Sequence, residues 1–189
     1  MARRYRLERW GDWPDEHFAD VSRPDYRRLI ARRVAPRMLA RGFDGLFLDN
    51  VDMIDGRPRR LAAGMRALVA TLGSLAHRRG GVLMAQNGEG VIGPMLGDLD
   101  AWNREDVSTS YDFARRRYVT APPRLRRGNA AALRRIGRRV RLVTATDYTR
   151  RAGDASARRA IATACSAGAV PFVSDIGLAR VPQRAPRCG

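Results

Sequence analysis

Gly42-Phe43-Asp44-Gly45-Leu46-Phe47-Leu48-Asp49-Asn50-Val51-Asp52 is the stretch on which the fold turns. Its centre, Gly45 to Leu48, is a short apolar run that ends on a carboxylate, Asp49, and a carboxamide, Asn50. A run that is apolar at every position, rather than at alternate ones, predicts a strand covered on both faces, as in a parallel sheet. Comparable runs closing on a polar residue recur along the chain at Phe18-Ala19-Asp20-Val21, Val82 to Asn87, Ala101 to Glu105, Arg141 to Asp147 and Pro171 to Asp175. Helical spacing fills the gaps. Residues 24 to 41 place Tyr26, Ile30, Val34 and Met38 four apart, with Pro24 near the start, Gly42 past the end and Pro36 expected to kink the last turns. Residues 58 to 76 align Leu61, Met65, Leu68, Leu72 and Leu75 on one stripe, and further helices are expected at 125 to 139 and 154 to 167. Strand, helix, strand in succession predicts a parallel α/β architecture.

The composition bounds what this architecture can be. A chain of 189 residues with 44% hydrophobic content can bury a core and is expected to form one domain over residues 1–189, with 182–189 as a tail. No apolar stretch is long enough to predict a membrane span. The net charge is +17 and all 36 basic residues are Arg, with no Lys. A nucleic-acid partner is one reading of that charge, but the Lys-free, Ala-, Gly- and Arg-rich composition points first to the coding bias of a GC-rich genome. Pairs such as Arg134-Arg135 and Arg158-Arg159 fall where a solvated helix face is expected. The two cysteines, Cys165 and Cys188, are too few for a disulfide framework or a metal site, and Cys165 is expected to serve as a small buried apolar residue. His17 and His77 have no partner at metal-ligand spacing, and no Asp-rich loop has calcium spacing, so neither metal nor cofactor is expected.

An open doubly wound sheet and a closed barrel share the βα alternation, and the polar strand ends separate them. No Gly-rich phosphate loop follows the first strand, as a dinucleotide fold would require. Instead Asp49, Asn50, Gln86, Asn87, Glu105, Asp147, Tyr148 and Asp175 all close strands. In a (β/α)8 TIM barrel such ends converge on the rim where active sites are built. Two carboxylates from different strands can protonate a glycosidic oxygen and supply a nucleophile or activate water, which is glycosidase chemistry. They can equally cap the loops and helices that follow.

Residues 42–52 closely resemble the signature of glycoside hydrolase family 114, the endo-α-1,4-polygalactosaminidase family. Trp13-Pro14-Asp15-Glu16-His17-Phe18-Ala19-Asp20-Val21, Gln86-Asn87-Gly88, Arg104-Glu105-Asp106-Val107, Thr146-Asp147-Tyr148 and Gly168 to Val173 follow in the family's order. The resemblance implies a TIM barrel and an endo-acting hydrolase of α-1,4-linked galactosamine polymers with one catalytic Asp and one Glu. Matched by position, these are Asp49 and Glu105, with Glu105 as general acid and Asp49 as nucleophile or base, or the reverse. By the same strand-end logic Asn50, Asn87, Asp147 and Tyr148 are candidates for contact with a polysaccharide or oligosaccharide. Asp52, three residues past its strand, either holds a sugar hydroxyl or orders its loop. Trp102 leads the aromatic candidates for stacking on a pyranose, ahead of Trp10, Trp13 and Tyr111. The resemblance spans nearly the whole chain but only about the later two-thirds of the family domain, so a barrel incomplete at its N-terminal side is expected. It also implies a secreted or periplasmic enzyme if the true start lies upstream. A carbohydrate-binding barrel without turnover and an Arg-rich nucleic-acid-associated protein stand as the alternatives.

Overall fold

The computed structural model describes residues 2–10, 15–181 and 188. Trp13, the start of the motif at 13–21 and most of the tail at 182–189 lie outside them. The chain divides into two compact units, Met1–Asp100 and Ala101–Gly189.

In the first unit β1 (Arg6–Arg9) pairs antiparallel with β2 (His17–Ala19), the register slipping between Arg6 and Arg9. The strand expected at 18–21 therefore exists one residue earlier, and its observed partner is antiparallel. It ends where Asp20 turns back to accept from the Ser22 backbone N–H at 3.2 Å. The helix expected over 24–41 is built as α1 (Pro24–Leu29), a wider π turn at Ile30–Val34 and α2 (Ala35–Leu39). Pro36 supplies the reason. It cannot donate to the carbonyl of Arg32 and its ring would crowd that oxygen, and the preceding Ala35 N–H donates five residues back to Ile30. Phe47 and Phe43, in and beside β3 (Gly45–Leu48), are 55% and 56% exposed, and Val34 and Met38 of the helix stripe are also exposed.

The longest helix, α3 (Arg59–His77), carries the expected stripe and packs on β3 and β4 (Val82–Gln86). Leu61, Met65, Leu68, Val69 and Leu72 are buried along it. Gly64 is set against the segment after β2, where a Cβ would lie 2.2 Å from the Val21 carbonyl oxygen. β3 and β4 run parallel with Gly45 opposite Val82 and Leu48 opposite Ala85. At the far end of α3, His77 and the Leu83 N–H both bond the Asp100 carboxylate, at 2.7 and 2.9 Å, fixing the helix end to the strand it precedes.

In the second unit β5 (Ala101–Glu105), β8 (Leu142–Tyr148) and β9 (Val170–Ser174) form a parallel array, while β6 (Thr109–Asp112) and β7 (Arg117–Thr120) make an antiparallel hairpin in the connection after β5. The sequence reading did not anticipate this hairpin. α4 (Pro123–Gly137) and α5 (Ala155–Ser166) pack on β8, and α5 also on β9. Ala157 and Ala160 cluster with Val173, small side chains letting the helix lie close to the sheet. Asp154 caps α5, accepting from the Ala157 N–H at 2.8 Å.

Cys165 corrects the sequence expectation. It is half-exposed rather than buried, and it is bonded to Cys188, with 5.3 Å between the Cα atoms. Two cysteines 23 residues apart carry no sign in the sequence of whether the chain brings them together. No helix among the described residues is long and apolar enough to cross a membrane.

Candidate active site

Asp49 directly follows β3 and continues its alternation, so the β3–β4 register sets it beside Gln86. The Gln86 Nε2 donates to Asp49 Oδ1 at 2.7 Å, and the Asn50 N–H donates to the same oxygen at 2.8 Å. Gln86 is buried and Asp49 exposed. One carboxylate oxygen is thus pinned by two donors, while Oδ2 accepts no hydrogen bond among the described residues. That leaves a fixed acid with an oxygen available to a ligand. Asp52 lies half-buried in the 3-10 turn Val51–Ile54, where its carbonyl accepts from the Asp55 N–H.

Asn50, Asn87 and Asp106 have φ of 54°, 57° and 54°. Each stands directly after the side chain that closes its strand: Asp49, Gln86 or Glu105. The left-handed conformation costs an ordinary L-residue roughly 1–2 kcal/mol, and Asn and Asp bear it best because their short polar side chains can bond locally. One backbone device therefore recurs at three strand ends, turning the chain sharply away after a functional-type residue.

In the second unit, alternation decides which side chains meet. The register pairs Asn103 with Thr144 and Glu105 with Thr146. Asn103, Glu105, Thr144, Thr146 and Tyr148 consequently share one face, opposite the helices. Asn103 Oδ1 accepts from Thr144 Oγ1 at 2.6 Å and Thr146 Oγ1 at 3.1 Å, and the Tyr148 hydroxyl donates to Glu105 Oε1. The opposite parity carries Trp102, Val143, Ala145 and Asp147.

Two sequence candidates fall on that second face. Trp102 is 0% exposed, so its ring is core and presents no free face to a sugar. Asp147 is 1% exposed, and its Oδ1 accepts from the Ser108 and Thr109 N–H groups, both at 2.7 Å, and from Thr109 Oγ1 at 3.2 Å. It holds the turn between β5 and β6. Burial pushes its pKa up to about 6 against the pull of those donors. Asp106, beside Glu105, is raised to about 6 by burial, with the Glu105 charge adding and the Ser110 hydrogen bond opposing.

Asn103 was not named from the sequence, and Gln86 and Asp106 lay within its motifs without an assigned role. Their signal was strand parity, which requires the strand boundaries to be known. Of the other aromatics, Trp10 packs on Phe18 with ring centroids 4.7 Å apart, and Tyr111 lies 5.0 Å from Tyr118. Among the described residues no three His, Cys, Asp or Glu side chains gather as a metal site would need.

Carboxylates and hydrogen-bonding side chains at the carboxyl ends of parallel strands are what a barrel glycosidase would display. Residues 2–186 match the model of the Glycoside-hydrolase family GH114. The chain belongs to this family. Among solved structures, the glycoside hydrolase domain of PelA from Pseudomonas aeruginosa is similar at 28% identity with a TM-score of 0.72, over 94% of this chain and 70% of that one. Ega3 from Aspergillus fumigatus, solved in complex with galactosamine, is similar at 19% identity and a TM-score of 0.69, over 94% of this chain and 68% of that one. None of the curated proteins compared matches the chain. The GH114 match and these likenesses establish an α/β fold of the TIM-barrel type and a glycosidase, a hydrolase of O-glycosyl bonds in a carbohydrate substrate.

Proposed function

We propose that this GH114 chain cuts internal α-1,4 bonds of a galactosamine-type polysaccharide, with Glu105 as general acid and Asp49 as the ionised nucleophile or base. One observation carries the choice of residues. Each carboxylate stands at the carboxyl end of a parallel strand and is held by a neighbouring strand's side chain, Asp49 by Gln86 and Glu105 by Tyr148. Family membership and the galactosamine bound to Ega3 support the sugar class.

In this mechanism Glu105 delivers its proton to the leaving glycosidic oxygen while Asp49 attacks the anomeric carbon or draws a proton from water. The Tyr148 hydroxyl orients Glu105 and returns a hydrogen bond to it once it is ionised. Asn50, Asn87 and Asp52 offer donors and acceptors to ring hydroxyls. The Cys165–Cys188 disulfide favours an oxidising compartment, in keeping with action on an extracellular polymer.

Asp49→Asn and Glu105→Gln test the reading. Each should lower kcat on a galactosamine oligomer by about 10²–10⁴-fold with an unchanged circular dichroism spectrum. Tyr148→Phe should lower kcat by about 10–100-fold, the loss of one hydrogen bond to a charged group, with a small change in KM and a displaced pH profile. Full activity in either carboxylate variant removes that residue from the mechanism.

A further inference from the structure

The hairpin β6–β7 and the loop after β8 enclose a cavity of about 660 Å³ whose lining includes Arg116, Arg117, Arg150, Tyr111, Tyr118 and Tyr148. Three arginines from two separate segments line one space. The Arg116 and Arg150 side chains make no ion pair or hydrogen bond among the described residues; the Arg150 carbonyl alone is used, by Arg180 at 3.1 Å. The carboxylate in the lining, Asp154, is engaged as the cap of α5. Arg116 also sits at φ 49°, a position in the hairpin turn that Gly or Asn would fill with less strain. Tyr148 ties the cavity to the proposed site, because its hydroxyl bonds Glu105. The rings of Tyr111 and Tyr118 meet edge to face at 5.0 Å in the same lining, apolar surface of the kind that packs on a pyranose.

We propose that this cavity is a subsite for a sugar unit bearing an anionic group, a carboxylate of the uronic-acid type, next to the bond that is cut. The inference rests on the glycosidase reading, since it takes its place from the contact between Tyr148 and Glu105. Guanidinium forks match a carboxylate in shape and charge, and the tyrosines supply the surface for the ring. A free amine in the same space would meet a lining in which arginines outnumber carboxylates. The polymer that suits this chain thus carries acidic units or substituents among its amino sugars.

The test is binding of trigalacturonate to the wild-type chain by isothermal titration calorimetry, beside a galactosamine trimer and an N-acetylgalactosamine trimer. Trigalacturonate should bind about tenfold or more tightly than either, a difference of about 1.4 kcal/mol, and should weaken with added salt. The double variant Arg116→Gln/Arg150→Gln should weaken it about tenfold or more. The control Arg134→Gln/Arg135→Gln, on α4, removes the same net charge and should leave affinity within about twofold. Equal affinity for the three trimers, or equal loss in both double variants, overturns the subsite in favour of diffuse attraction to a basic surface. The readout needs no turnover. If the subsite holds while galactosamine polymers resist cleavage, the galactosamine reading of the substrate fails alone; if they are cut and the arginines do not matter, the subsite fails alone.

Discussion

Asp147 gathers three donors on a single oxygen while its pKa is raised to about 6. An aspartate in the unfolded chain ionises near pH 4. Between these values the folded chain keeps a proton that the unfolded chain has released. The contribution of Asp147 to stability is therefore whole below about pH 4 and is lost as the pH rises through 6, a swing of about 1–3 kcal/mol. Asp106 moves in the same direction and shares part of the effect, because each carboxylate disfavours ionisation of the other. Asp147→Asn keeps an acceptor for the Ser108 and Thr109 donors and removes the ionisation. Urea unfolding should show the variant gaining on wild type by that amount from pH 4 to pH 7. Parallel stability curves for the two proteins would show that burial of this carboxyl does not set its ionisation. Of the residues named by motif, Asp49, Glu105 and Tyr148 were legible as strand ends. The separation of Asp147 from Tyr148 was not, because adjacent residues of a strand face opposite ways and only the register says which way is which.

At the scale of elements, glycines inside helices distinguish packing from propensity. Gly64 of α3 has the Val21 carbonyl oxygen 2.2 Å from where a Cβ would stand, whereas Gly128 of α4 has nothing within 4 Å. In an open helix interior, alanine improves on glycine by about 1 kcal/mol. Gly128→Ala should therefore raise Tm by about 2–4 °C. Gly64→Ala must instead push α3 away from the segment after β2, and overpacking against backbone costs about 1–3 kcal/mol, occasionally more. Its Tm should fall by several degrees, and a rise would mean that the contact between α3 and Val21 is looser than described. The sequence made α3 legible through its stripe, and it flagged Pro36 as a disturbance. It gave no warning that the disturbance would be absorbed as a π turn one step earlier, since that outcome depends on which carbonyl the helix can leave behind.

For the whole molecule, charge is the property that meets the substrate first. The chain carries +17, and a galactosamine polymer with free amines is itself cationic. Like charges slow encounter and weaken binding over a Debye length of about 30 Å at 10 mM salt, which shrinks to about 8 Å at 150 mM. KM for such a polymer should accordingly fall several-fold as salt rises from about 10 to 150 mM, while KM for its N-acetylated counterpart stays nearly constant. Steady-state kinetics at the two salt concentrations decide this. A KM that rises with salt for the amine polymer would place a locally acidic cleft in control of binding in spite of the net charge.

The sequence by itself determined the α/β class, the strands that close on Asp49 and Glu105, and membership of a glycosidase family, because apolar period and motif are properties of neighbouring residues. Tertiary structure alone decided that Cys165 reaches Cys188, that Arg116 and Arg150 share a cavity, and that β2 takes an antiparallel partner. These pairings join residues separated by connecting loops. They depend on where each loop returns and on the register of one strand against the next, which no local pattern encodes.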